Sequence, residues 1–325
     1  MNISKYYYHR LNNELKRVYI QICKGISCLN NSIVLPLINK NKLSLIYESV
    51  LLDNPIFFYT ISYQCVIDFN NQRILLTPIY RYTDEVIKQS AETLNGYLHR
   101  FDVVKHKSDV EKELYVHDFC LENFSYDYTF NKYSFSPLGL LVYKTGVCEG
   151  ISKFVKIVMD YLKVECMLVS GTARSAENKP PELHMWNIVS INGNAYHLDV
   201  TFDMSQTNRV KRYDYFNLPD VEIKRDHFIT TKAPKCNAVG RDYYSANSLV
   251  FFDLKEMGKH IKKELLAGKR FIVVKFGNRQ FSSSTNIVEQ VAGASIPQYQ
   301  RLFNRSVSAE IAYNPSQCVF EVAFN

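Results

Sequence analysis

The sequence has no Cys-x-x-Cys pair, no cluster of cysteine and histidine at zinc-ligand spacing, and no apolar run approaching a bilayer's thickness. The first two absences exclude a metal module built from local ligand spacing, and the third argues against a membrane span. Residues 1–25 alternate charged with apolar positions and lack a continuous hydrophobic stretch, so no cleaved signal peptide is visible. Internal repeats, low-complexity segments and long linkers are also missing. So is any basic stripe interleaved with aromatics, the mark of a nucleic-acid surface. Eight cysteines (Cys23, Cys28, Cys65, Cys120, Cys148, Cys166, Cys236 and Cys318) are too sparse and irregular for a disulfide scaffold. Most of them read as reduced, buried, small hydrophobes. Unpaired thiols and the missing signal favour the cytoplasm, and an exported or cell-surface location would require a leader already removed.

What is present describes a globular protein: 325 residues, 46% hydrophobic and 22% charged, enough for two or three packed units. The formal charge of +7 is modest for this length, and the local basic clusters at 259–263 and 269–270 read as a solvated helix face. A nucleic-acid partner is therefore not expected, and the sequence leaves oligomeric state open.

Three regions follow one another: 1–105, 106–232 and 233–325. The first holds helical patterns to about residue 25 and over 42–52. A β-hairpin over 57–69 and 73–82 about Asn70-Asn71 follows, then a helix over 84–99. The second opens with a helix over 108–123, where Ser108 and Glu111 stand as a capping box. A second helix begins at Cys148, with Ile151, Phe154, Val155, Val158 and Leu162 on one apolar face. A strand over 165–170, a loop over 171–183 and a hairpin over 184–191 and 194–202 complete this region. Asn192-Gly193 is the preferred type I′ turn pair. The third is expected to be an accessory α+β unit: strands at 249–252 and 270–276, a helix at 254–266, a further helical segment and a terminal hairpin over 307–313 and 318–324.

Chemistry concentrates in the middle region. Cys148 lies in Thr145-Gly146-Val147-Cys148-Glu149-Gly150, directly at a helix start. There the positive end of the helix dipole and free N–H groups favour a thiolate. The Cys148 N–H is itself a candidate oxyanion donor, and Gly146 and Gly150 keep the backbone approachable. If Asn192-Gly193 form the turn, Ile191 pairs with Asn194 and Trp186 lies opposite Asp199. Alternation puts His184 on the face of Trp186, diagonal to Asp199. A carboxylate there can fix the imidazole tautomer while the other ring nitrogen addresses a thiol. A one-residue shift of the turn would separate the two. His197 shares the face of Asp199 but stands two residues away on the same strand, and it reads as a hydrogen-bonded structural histidine.

The run Gly146-Val147-Cys148-Glu149-Gly150, then His184-Met185-Trp186-Asn187, then Tyr196-His197-Leu198-Asp199-Val200-Thr201-Phe202-Asp203, resembles bacterial transglutaminase-like domains. His117-Asp118, Tyr213-Asp214-Tyr215-Phe216-Asn217 and Asp226-His227 extend the likeness, which is close over roughly 110–232. Asp53-Asn54-Pro55-Ile56-Phe57 matches longer members more loosely. The resemblance implies a papain-like α+β core, a central helix bearing the nucleophilic cysteine packed on an antiparallel sheet, with α+β flanking regions at either end. It implies a Cys148–His184–Asp199 triad acting on amide bonds of a protein or peptide through a thioester, which water or an amine then resolves. Trp186, Glu149, Gly146 and Tyr143 are expected to line the site, Trp186 standing equally well as a core residue. Ile151 and Ser152 depart from the family pattern, which has an aromatic and a small residue there. Tyr143 and Lys144 are the candidate side-chain oxyanion donors. No acidic calcium-binding loop is evident, so no cofactor or metal is expected for the reaction. The alternative function is a non-catalytic peptide-binding or assembly module on the same fold.

Overall fold

The structure, a computed structural model, describes residues 3–176, 178–207, 209–277, 287–304 and 308–324. Met1 and Asn2 of the expected first helical pattern, Glu177 of the expected loop and Val307 of the expected terminal hairpin lie outside them. By packing, the chain divides into two compact units: 1–195 with 228–234, and 196–227 with 235–325. This division follows contacts, whereas the three sequence regions follow motif and composition.

The first unit opens with α1 (Tyr6–His9), α2 (Asn13–Ser27), β1 (Ile33–Pro36) and α3 (Lys40–Asp53). Asn12 caps α2 by accepting the Leu15 N–H at 2.9 Å, satisfying one of the donors every helix start leaves over. Asp53 accepts from the Tyr7 and Tyr8 N–H groups and from the Tyr19 hydroxyl, so this part of the loosely matching Asp-Asn-Pro motif pins α1 and α2 to α3. The expected hairpin forms as β2 (Thr60–Asp68) and β3 (Arg73–Tyr80), and β1 adds to its β3 edge. After α4 (Asp84–Leu98) comes α5 (Asp109–Asn123), whose start carries the expected capping box, with the Ser108 N–H donating to Glu111 Oε2 at 3.0 Å.

Two short parallel strands, β4 (Ser125–Tyr126) and β5 (Thr145–Gly146), then lead into α6 (Cys148–Leu162). The five apolar residues read as one face of α6 are all 2% exposed or less. Burying each such side chain is worth roughly 1.5–3 kcal/mol, so this face anchors the helix. α6 packs on β6 (Cys166–Ala173) and β7 (Glu182–Ile191), an antiparallel pair in which Val169 faces Trp186 and Gly171 faces His184. Phe154 of α6 also meets the rings of Tyr97, Phe101 and Phe124. A helix bearing Cys148 packed on an antiparallel sheet is the α+β core the sequence implied.

β7 turns through Asn192 (φ 53°) and Gly193 (φ 79°) into β8 (Asn194–Leu198). Positive φ at both positions is what a type I′ turn requires. β9 (His227–Ile229) leads to Thr230, whose N–H donates to Ser170 O at 3.0 Å on β6.

In the second unit the expected strand over 194–202 stops at Leu198, and α7 (Val200–Gln206) begins instead. The cause is Asp199: its Oδ1 accepts the Thr201 and Phe202 N–H groups at 3.0 and 3.1 Å, capping a helix where alternation alone read a strand. Then follow α8 (Asp220–Ile223), α9 (Tyr243–Ala246), β10 (Val250–Phe251), α10 (Leu254–Leu266), β11 (Phe271–Phe276), α11 (Ile287–Phe303), β12 (Ala309–Asn314) and β13 (Val319–Phe324). The sheet runs β10-β11-β13-β12, with Met257, Ile261, Leu265, Ile272, Val274, Val291, Phe320 and Val322 in its core. This is the C-terminal α+β packing expected from the sequence. No helix among the described residues is long and apolar enough to cross a membrane.

Candidate active site

Cys148 is positioned by the chain before it. Asp127 accepts from the Thr129 and Asn131 N–H groups and from the hydroxyls of Thr129 and Ser134, folding 127–134 into a tight strap. Those donors, Ser134 first, hold its carboxyl well below the usual range. Ser134 O takes the Val147 N–H at 3.0 Å, and the Asp127 N–H donates to Gly146 O at 3.0 Å. A π-helical turn at Gly139–Tyr143 and left-handed Lys144 (φ 61°) bring the chain into β5.

The strap also explains Gly150. A Cβ there would lie 2.3 Å from Ser134 O, so only glycine lets the backbone of the strap reach the first turn of α6. At Gly146 a Cβ would meet Leu140 Cδ2 at 2.8 Å. Space beside both glycines is thus filled by the protein's own chain. Cys148 emerges as the first residue of α6, half-buried and with a free thiol. The Ile151 N–H donates to Val147 O at 3.0 Å, and the N–H groups of Cys148, Glu149 and Gly150 precede that first intrahelical bond.

On β7, His184 is 9% exposed and stacks on Trp186 with ring centroids 5.8 Å apart and planes 18° from parallel. The two share a face, as strand alternation demands. Trp186 is 1% exposed. One residue on, Asn187 donates through Nδ2 to Ser152 O at 3.1 Å, and the Ser152 hydroxyl donates to Cys148 O at 2.7 Å. The strand that carries His184 is thereby tied to the first turn of the helix that starts at Cys148. Ser152, a departure from the family pattern, is the middle of that link.

The other expected lining residues lie in this unit too. Glu149 pairs with Lys153 at 2.5 Å, one helical turn away. Tyr143 is exposed, its ring 5.5 Å from that of Tyr133. Lys144 Nζ donates to Leu141 O at 3.1 Å and sits over the Tyr97 ring, and burial pulls its pKa down.

Asp199 belongs to the second unit, where a buried polar network surrounds it. While Oδ1 caps α7, Oδ2 lies 2.9 Å from His227 Nε2. His227 Nδ1 is 2.5 Å from Asp226 Oδ1, and the Tyr215 hydroxyl donates to Asp226 Oδ2 at 2.6 Å. Asn314 Nδ2 links onward to Asp214, which holds Arg212 through two bonds of 3.0 and 2.7 Å. Burial pulls the His227 pKa down, but its bonds to Asp199 and Asp226 outweigh that and leave it raised. The imidazole thus lies between two carboxylates, both of which favour its protonated form.

Sequence reasoning had matched Asp226-His227 and Tyr213–Asn217 to the family without giving them a role. The network supplies one. It holds Asp199 in place, and it uses Asp214 and Tyr215 of one match and both residues of the other. His197 is, as expected, a hydrogen-bonded structural histidine: fully buried, with Nε2 at 2.9 Å from Asp220 Oδ1 and its pKa lowered by burial.

No curated protein matches the chain. Among solved structures, the chain is similar to a candidate cysteine protease from Cytophaga hutchinsonii, at 14% identity and a TM-score of 0.29, over 44% of this chain and 65% of that one. It is also similar to a TGase at 13% identity and a TM-score of 0.31, over 52% of this chain and 51% of that one. The chain therefore spans less than two thirds of either. Residues 100–200, which include Cys148, His184 and Asp199, match the family model of the transglutaminase-like superfamily.

Proposed function

We propose that this chain is a cysteine enzyme acting on amide bonds of proteins or peptides, with Cys148 as nucleophile, His184 as general base and acid, and Asp199 as the carboxylate that orients His184. The observation that supports this most is the placement of Cys148 as the first residue of α6, ahead of the helix's first intrahelical bond. A sulfur there meets the positive end of the dipole, and the adjacent N–H groups suit a developing oxyanion.

In this reading Cys148 Sγ gives its proton to His184 and attacks the amide carbonyl. The tetrahedral adduct collapses as the C–N bond breaks, and His184 returns the proton to the departing nitrogen. A thioester remains on Cys148. Water or an amine, deprotonated by His184, then attacks it and restores the thiol. Water would make the chain a protease or deamidase, and an amine would make it an acyltransferase.

A library of glutamine- and asparagine-containing peptides, with and without a primary amine, tests this by intact-protein mass spectrometry after rapid acid quench. The expected result is an acyl adduct on Cys148, together with released ammonia, a shortened peptide or an amine-coupled product, all lost in Cys148→Ala. Absence of adduct and product across the library, with Cys148→Ala still retaining the peptides that wild type binds, would replace this reading with a non-catalytic peptide-binding module.

A further inference from the structure

A second cluster of chemically capable side chains lies in the second unit, and the reaction above does not use it. His197 on β8, Asp220 at the start of α8 and Cys236 in the segment before α9 each offer a ligand atom, all within 4.8 Å of one another. His197 and Cys236 are fully buried, and the Asp220 side chain is 19% exposed.

Their backbones are locked together. His197 exchanges two hydrogen bonds of 2.9 Å with Leu218, and the Asp220 N–H donates to Cys236 O at 2.7 Å. The three side chains therefore converge without further ordering of the main chain. Asp220 divides its oxygens: Oδ2 accepts from Lys224 at 2.9 Å, while Oδ1 faces His197. Alongside lies a pocket of ≈ 390 Å³ lined by Pro219, Asp220, Val221, Lys224, Cys236 and Asn237. It touches two of the three ligand residues, which leaves room for a water in a fourth position.

We infer that His197, Asp220 and Cys236 form a binding site for one divalent cation of the zinc class. One imidazole nitrogen, one thiolate and one carboxylate oxygen, with an open fourth position, is a ligand set that a borderline-soft tetrahedral ion takes. Hard cations such as calcium and magnesium require more oxygens than this site offers. Binding forms three metal–ligand bonds, releases the Cys236 proton to solvent, moves the His197 ring proton from Nε2 to Nδ1, and so replaces the His197–Asp220 hydrogen bond. The ion would tie β8, the start of α8 and the segment before α9 into one node.

The probe is Co²⁺, titrated into the full-length, untagged chain carrying Cys148→Ser, so that the half-buried thiol at α6 cannot contribute. The expected result is one equivalent bound, with a thiolate-to-cobalt charge-transfer band in the near ultraviolet, intense visible bands of a four-coordinate ion, and displacement by Zn²⁺. Cys236→Ser should abolish the charge-transfer band, and Asp220→Asn should weaken binding by more than about tenfold. Lys224→Ala, at an exposed position, should tighten binding by removing the cation beside Asp220. It guards against a misfolded-variant explanation, because a folding defect would weaken binding instead. A charge-transfer band that survives Cys236→Ser, no band at all in the Cys148→Ser chain, or unchanged affinity in Lys224→Ala would overturn the site. Catalysis at Cys148 is read separately by peptide adducts, so either inference can fail alone.

Discussion

The two units hold their functional residues by different physics. In the first, Cys148 and His184 sit on a helix and a strand fixed mainly by apolar burial and neutral hydrogen bonds, the α6 face and the Asn187–Ser152–Cys148 link, with the Asp127 carboxylate of the strap as a charged support. In the second, Asp199 is held by a buried polar network, with an imidazole of raised pKa between two carboxylates and an arginine–aspartate pair further along. Apolar packing is indifferent to pH and tolerates polar change poorly. A buried charge network is the reverse: strong while every member is satisfied, and vulnerable to the loss of one partner.

The largest effect that would expose this difference is His227→Gln. Removing the imidazole leaves the Asp199 and Asp226 carboxylates buried without their shared partner, and breaking such a buried pair costs on the order of 3–5 kcal/mol. Amide exchange should show the loss in the second unit, with protection of α6 and β7 unchanged. Equal loss in both units would erase the contrast.

Gly150→Ala comes next, as the corresponding blow to the first unit. Its Cβ would meet the Ser134 carbonyl, a backbone atom that cannot swing aside, and overpacking of this kind costs about 1–3 kcal/mol. Chemical denaturation should report the loss, and the rate of Cys148 alkylation should change with it because the strap also holds the Val147 N–H.

A smaller and graded difference concerns pH. The folded pKa of His227 is raised above its ordinary value of 6.5, so its contribution to stability is fully present below about 6.5 and is lost as pH rises through the folded value. Denaturation between about pH 6 and pH 9 should show wild type losing part of its advantage over His227→Gln as pH rises. An advantage that stays constant or grows would contradict a raised His227 pKa.

The smallest effect should be Glu149→Gln. It removes a partly exposed pair one turn apart on α6, worth about 0.3–0.5 kcal/mol, and leaves the apolar face untouched. A loss several times larger would mean that charge matters in the first unit too.

The same contrast explains how much the sequence disclosed. The apolar face of α6, the capping box at Ser108, the Asn192-Gly193 turn and the shared face of His184 and Trp186 are local patterns with a fixed period or turn chemistry, and each was legible. The network around Asp199 was not. Asp226 and Tyr215 meet through side-chain bonds between residues with no periodic relation, and Asn314 joins them from nearly a hundred positions away. His197, Asp220 and Cys236 likewise carry no ligand spacing, because a strand, a helix start and the segment before α9 bring them together. The strand read over 194–202 failed at Asp199 for a related reason: the side chain that caps a helix overrode the alternation leading up to it. The Asp127 strap escaped because its order comes from several bonds to one side chain rather than from composition or period.

The measurement that tests the central claim most directly is alkylation of the full chain by a thiol-selective electrophile across pH, with every adduct mapped by mass spectrometry. Cys148 should react far ahead of the other seven cysteines, and His184→Ala should slow it by roughly 10²–10⁴-fold. Uniform slow labelling of several cysteines, unaffected by His184→Ala, would contradict an activated thiol at the start of α6.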